Sequence, residues 1–268
     1  MAAEARGGSA YAGADAEEPQ IIIHVILSEA KNFMIKTIIN KLNSELPATV
    51  KLVAVSKFHP FEAIEQAYEA GQRIFAESRP QELLAKVKRL EELRKERGEP
   101  DYMSDIQWHF IGHLQTNKLK MVLPYVSLVQ SIDSVRLLDA INSWGAANGK
   151  LINVLLEPHV AAEETKQGFA EEEILTILSS SDKYPYITFK GIMGMATFTD
   201  EESVIRADFA RIREVYDKAH SLLSESFPTA SEAFTELSIG MSDDYPLAIE
   251  YGSSMVRIGS MIFGNRTY

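Results

Sequence analysis

The chain has no cysteine, which removes disulfides, thiolate metal sites and cysteine nucleophiles together and makes a reducing compartment the simplest setting. It is also short of positive charge. With 27 Lys and Arg against 38 Asp and Glu, the net charge of −11 argues against sequence-independent nucleic-acid binding, which depends on cations neutralising phosphates. Long apolar runs are missing as well. The longest near the start, Ile21 to Leu27, falls far below the ~20 residues of a spanning helix, and the acidic stretch before it lacks a basic n-region. These absences predict no signal peptide, no membrane span, no nucleic-acid partner and a cytoplasmic location. What is present is a 46% hydrophobic content in 268 residues, enough for one large barrel-type domain or two ordinary ones.

Residues 1–20 are rich in Ala, Gly and Glu without apolar periodicity and read as a disordered tail, leaving 21–268 as a single domain. From Ile22 to Leu46 a stripe of Leu27, Met34, Ile35, Ile38, Leu42 and Leu46 predicts a long amphipathic helix. Strand and helix patterns then alternate. The strands are expected at 52–55, 73–78, 105–112, 127–133, 151–157, 186–195, 236–241 and 255–263, and the helices at 60–70, 79–97, 114–123, 135–147, 170–178, 201–223 and 246–251. Eight such units in an α/β chain of this length predict a (β/α)8 TIM barrel with an extra N-terminal helix, and a doubly wound open sheet is the alternative. The chain stops at Tyr268, too soon for an eighth outer helix, so the first helix is expected to cover that gap.

Leu52-Val-Ala-Val55 has the continuous apolar character of a strand buried on both faces, and it runs directly into Ser56-Lys57. A lysine there either turns to solvent or is held in a pocket for its amine. Chemistry in such barrels sits at the C-terminal strand ends, which is where Lys57 falls. Ser238-Ile-Gly-Met-Ser242 and Arg257-Ile-Gly-Ser260 occupy the equivalent ends of strands seven and eight. Glycine lets backbone N–H groups approach an anion and serine donates from its side chain, so these turns suit phosphate, although tight turns alone also use glycine. An amine and a phosphate cradle in one mouth fit a cofactor carrying an aldehyde and a phosphate, pyridoxal 5′-phosphate (PLP), with Lys57 as its Schiff-base partner. A sugar-phosphate barrel enzyme that forms an imine would explain the same two features.

Several ordered segments carry a resemblance from about residue 23 to the C-terminus: Leu52-Val-Ala-Val-Ser-Lys57, Phe75-Ala-Glu-Ser-Arg-Pro-Gln-Glu82, Trp108-His-Phe-Ile-Gly-His-Leu-Gln-Thr-Asn-Lys118, Gly191-Ile-Met-Gly-Met195, Leu237-Ser-Ile-Gly-Met-Ser-Asp-Asp244 and Val256-Arg-Ile-Gly-Ser260. Together they resemble the pyridoxal phosphate homeostasis protein family, whose members look like the barrel domain of alanine racemase standing alone. The resemblance implies a monomer that binds PLP without substantial turnover, so that no residue is assigned a catalytic role, and that exchanges the cofactor with PLP-dependent apoenzymes. It implies a Schiff base on Lys57, phosphate contacts from Ser242, Gly259, Ser260 and the backbone of Met241, and Arg257 at the pyridine nitrogen. A fixed cation there disfavours ring protonation and weakens the cofactor as an electron sink, which suits holding it.

Two departures stand out from the family pattern. Ala76 and Ser78 occupy the family's Gly and Asn, so a ring contact passes from an amide to a hydroxyl, and Glu157-Pro-His159 replaces Gln-x-Asn, bringing an imidazole near the pocket. His109 is expected to line the mouth and His113 to make a turn or surface contact. Their spacing resembles a metal pair, but no third ligand follows and no metal is expected. Met193 and Met195 are expected to pack on the barrel interior or the ring, and Asp243 or Asp244 to cap the next helix. A racemase-like enzyme is the alternative function. It needs a second base opposite Lys57, for which Tyr245 or Tyr251 would have to serve.

Overall fold

The computed structural model describes residues 33–160 and 168–264. Within them eight parallel strands close into a barrel in sequence order: β1 (Lys51–Val55), β2 (Ile74–Glu77), β3 (Gln107–Phe110), β4 (Val126–Ile132), β5 (Ile152–Leu156), β6 (Ile187–Met193), β7 (Glu236–Ser238) and β8 (Met255–Ile258). The pairing of β1 with β8, Val53 opposite Arg257, shuts the ring. Outside it run α1 (33–45), α2 (Phe61–Glu69), α3 (Pro80–Arg97), α4 (Leu119–Val122), α5 (Val135–Asn148), α6 (Glu171–Ser179), α7 (Glu202–Ser226) and α8 (Pro228–Ala233), while α9 (Tyr245–Glu250) and α10 (Ser260–Phe263) flank β8. The expected (β/α)8 barrel is the observed fold. Among the described residues no helix is long and apolar enough to cross a membrane.

Strand alternation sorts the apolar residues into two cores. Leu52 and Ala54 of β1 face the helices, whereas Val53 and Val55 point inward with Ala76, Leu128, Leu155, Met193 and Met255. Lys57 lies two residues beyond Val55, in the turn that follows β1. On α1 the buried stripe is Ile35, Ile39 and Leu42, continued by Leu46 beyond the helix, and each such side chain contributes about 1.5–3 kcal/mol by burial. Met34, expected on that stripe, is 57% exposed. Leu27 and the tail at 1–20 lie outside the described residues.

The ends of β7 and β8 depart most from expectation, and these ends build the site. β7 stops at Ser238 because Gly240, at φ 94°, turns the chain where a Cβ would come within 2.6 Å of the Ala248 Cβ. β8 stops at Ile258: the amides of Ile262 and Phe263 return to the Gly259 carbonyl, making residues 260–263 a helix in place of strand. The helix expected at 114–123 divides into a 3-10 turn, Thr116–Lys118, and α4. α8, with Pro at its start, is an additional element that its six residues were too few to signal.

Candidate functional site

At the C-terminal ends of the strands a cavity of about 340 Å3 is lined by Lys57, Met193, Met241, Ser242, Arg257, Gly259 and Ser260, seven of the nine residues expected to hold a cofactor. Lys57 is half-buried, and Ser260, at the start of α10, is exposed. The cavity wall also includes Val55, His59, Ile111, Met195, Phe198 and Asp243. His59, buried and with its ring 5.2 Å from that of Phe263, had one available signal, its place two residues beyond Lys57. Phe198, 91% exposed after β6, had none, because a lone aromatic in a loop has no period to read.

Ser78 and His109 do not line this cavity. Ser78 follows β2, where its carbonyl oxygen lies only 2.1 Å from the position a Cβ on Gly112 would take, so its backbone is committed to packing against the end of β3. His109 sits inside the barrel beneath the mouth, 3% exposed, because its β3 position points inward before the strand ends. There it terminates a polar chain. Arg257 donates to the Ser238 hydroxyl at 2.8 Å, Ser238 donates to Gln130 Oε1 at 2.8 Å, and Gln130 Nε2 donates to His109 Nδ1 at 2.9 Å. Each donor in the chain fixes the next acceptor, so Nδ1 must stay unprotonated. Burial, reinforced by the Lys51 charge, correspondingly pulls His109 down to about 3.

Arg257 is more than a lining cation. Its guanidinium also donates to the carbonyls of Ser238 at 2.6 Å and Gly194 at 2.9 Å, tying β8 to the ends of β7 and β6. Burial lowers its pKa to about 10, opposed by the nearby Glu157 and Asp244 carboxylates, so it remains a cation at neutral pH. Turn 241–244 is held from within. The Met241 amide donates to the Asp244 carboxylate at 2.5 Å, and the Ser242 hydroxyl accepts from the Gly259 amide at 3.4 Å. The Met241 N–H, expected at an anion, is here bonded to the Asp244 carboxylate, and Met241 lines the cavity. Asp244 stands at the N-cap position of α9, but its carboxylate turns back to Met241 and makes no capping bond into the helix.

His159, expected near the pocket, is exposed and does not line the cavity, and its amide donates to the Phe169 carbonyl at 2.8 Å. Neither Tyr245 nor Tyr251 lines the cavity, and the Tyr251 ring packs 6.1 Å from that of Phe209 in the helix layer. His113 pairs with Asp133 at 2.7 Å beside a separate hollow of about 430 Å3 that also includes Arg136.

Glu157, one residue past β5, is raised to about 7 by burial and by Asp133, against the opposing pull of Arg257 and His113. The folded state thus favours its protonated form. That contribution to stability is complete below the ordinary glutamate value of 4.5 and is lost as pH rises through about 7. Glu157→Gln is expected to raise stability at about pH 8 by on the order of 1–3 kcal/mol and to leave it unaltered near pH 4. Urea unfolding at the two pH values checks this, and equal midpoints at the higher one would contradict it.

In this eight-stranded parallel barrel a lysine after β1 and serine-glycine turns after β7 and β8 converge on one cavity, and the model of the alanine racemase N-terminal domain family matches residues 34–267. The pyridoxal phosphate homeostasis protein of Haemophilus influenzae is 36% identical over 220 residues, 82% of this chain and 86% of the relative. That of Schizosaccharomyces pombe is 37% identical over 220 residues, 81% and 84% of the two chains. The chain belongs to the pyridoxal phosphate homeostasis protein family. Among solved structures, PipY of Synechococcus elongatus with PLP bound matches at a TM-score of 0.73 and 31% identity, covering 86% of this chain and all of PipY. The alanine racemase of Clostridium difficile, at 14% identity and a TM-score of 0.62 over 88% of this chain and 56% of its own, shares the fold alone.

Proposed function

We propose that this chain binds PLP, with Lys57 supplying the amine for a Schiff base, and that it serves intracellular PLP homeostasis as a cytoplasmic monomer that holds the cofactor for apoenzymes without substantial turnover. The observation that supports this most is the convergence of Lys57, Ser242, Arg257, Gly259 and Ser260 on one cavity. The fit is favourable on three counts. The volume of about 340 Å3 is within the range of small-ligand sites. A Cβ on Gly259 would stand 3.1 Å from the Val55 carbonyl and 3.3 Å from its Cβ, tighter than ordinary contact, so the absence of a side chain eases the close approach of the β8 turn to β1. The relatives named for PLP homeostasis and the PLP-bound PipY support the choice of ligand.

When bound, PLP supplies an aldehyde that captures an amine and a ring that can withdraw electrons. The chain's own residues then divide the work. The Ser242 and Ser260 hydroxyls would donate to phosphate, and Met193 and Met241 would offer apolar, polarizable surface to the ring. Arg257, clamped by two carbonyls, keeps a fixed positive charge in the mouth, which opposes protonation of a ring nitrogen and so limits electron withdrawal. Two bases on opposite faces are needed for racemisation, and the cavity wall among the described residues contains no tyrosine. That favours holding over turnover.

The test is an absorbance titration. Adding PLP to the protein is expected to produce a band near the visible edge that Lys57→Ala abolishes. A wild-type protein without the band would remove the basis of the proposal.

A further inference from the structure

Lys57 is bracketed by two unusually constrained neighbours. On its C-terminal side Phe58 has φ 67°, a left-handed conformation that is unfavourable for a bulky residue and persists only where the surroundings impose it. Two residues at the start of α3 impose it here. The Glu82 carboxylate accepts the Phe58 amide, and the Arg79 guanidinium stands 4.4 Å from the centre of the Phe58 ring. On its N-terminal side Ser56 is fully buried, its carbonyl accepting from Lys86 Nζ at 2.8 Å and its hydroxyl donating to Glu77 Oε1 at 2.6 Å.

One ammonium joins these contacts. Lys86 Nζ donates to the Ser56 carbonyl, to Glu77 Oε1 at 2.6 Å and to Glu82 Oε1 at 3.2 Å, which uses all three of its N–H groups. It thereby ties the end of β1, the end of β2 and the first turn of α3 around the segment that carries Lys57. The arrangement is a poor source of stability. Glu77 is fully buried with Oε2 lacking any hydrogen-bond partner, and replacing such a buried ion cluster by apolar residues is often neutral or stabilising. Placement explains its presence better than stability does.

We propose that Lys86 and Glu82 are positioning residues for Lys57: the buried ammonium and the carboxylate it holds fix the backbone on both sides of the lysine and so aim its amine into the cavity. The inference rests on Lys57 being the cofactor-capturing amine. It makes the β2–α3 unit, which contributes no wall to the cavity, a determinant of how fast that amine reacts.

The experiment compares wild type, Glu82→Ala and the apolar replacement Glu77→Leu/Lys86→Met by three readouts: growth of the near-visible band on adding PLP, affinity for pyridoxine 5′-phosphate, and the melting temperature. Pyridoxine 5′-phosphate carries an alcohol in place of the aldehyde and so reports phosphate and ring contacts only. Misplacing a reacting group by about 1 Å costs up to about a hundredfold, so the band is expected to grow about ten- to a hundredfold more slowly in both variants. Their affinity for pyridoxine 5′-phosphate is expected to stay at the wild-type level. A wild-type rate in Glu82→Ala, or a parallel loss of pyridoxine 5′-phosphate binding, would overturn the positioning role. Should the double variant fail to fold, Glu82→Ala decides alone, since that side chain is 20% exposed and off the buried core. Absence of the band in wild type would overturn the reading of Lys57 itself, whereas a wild-type band with unslowed variants overturns only the positioning.

Discussion

Ser260→Glu is expected to weaken PLP binding about thirtyfold while leaving the fold intact. The position is exposed at the start of α10 and lines the cavity beside Ser242 and Gly259, so a longer side chain has room to stand without disturbing the core. A carboxylate there meets a phosphate of about −1.5 to −2 charges, and at about 4 Å in a water-like dielectric this costs on the order of 2 kcal/mol. That energy corresponds to about thirtyfold in affinity. Ser260→Gln separates charge from bulk: it adds the same length without the repulsion and is expected to bind several-fold more tightly than the glutamate variant. Equilibrium titration monitored by absorbance reads both. Wild-type affinity in Ser260→Glu would contradict a phosphate site between the ends of β7 and β8.

Gly191→Ala is expected to destabilise the barrel by more than about 4 kcal/mol, a magnitude reserved for the most disruptive single substitutions. Gly191 lies in β6 at φ 151°, paired with Glu236 of β7, and a Cβ there would stand 1.7 Å from the Glu236 carbonyl oxygen. The obstacle is backbone, so no side-chain rotation relieves it. Separating β6 from β7 would also disturb Ser238, through which Arg257 is clamped, and the contact of Glu236 with Lys51 across the barrel's lower end. Chemical denaturation measures the effect, and a variant within about 1 kcal/mol of wild type would show that the two strands can separate freely.

The parts of this site that could be read from sequence are those with a local signature. Leu52 to Val55 announces a doubly buried strand, and Ser238 to Ser242 with Arg257 to Ser260 announce anion-sized turns, so the eight-unit alternation sufficed to place Lys57, Ser242 and Ser260 around one mouth. Residues whose roles depend on where neighbouring strands stop were not legible. His109 points inward but lies one layer too deep, because β3 extends only to Phe110 and the wall at that height comes from Ile111. The bond from the Met241 amide to Asp244, between residues only three apart, is one that composition does not announce. His159 was expected near the pocket from the family's Gln-x-Asn pattern, but it is exposed and does not line the cavity. The alternating Lys, Arg and Glu of residues 79–97 predict a solvated face, and most of them are exposed. Lys86 is the exception, 6% exposed, because its partners on β1 and β2 become neighbours only once the barrel closes.

Reduction of the PLP-loaded protein with borohydride, followed by peptide mass mapping, tests the central claim most directly. Hydride converts the C=N bond between cofactor and lysine into a stable secondary amine, fixing the ligand where it was held. The cofactor's added mass is expected on the peptide containing Lys57 and is expected to be absent from Lys57→Ala. The same mass on another lysine, or no modified peptide from a protein that retains PLP, would contradict it.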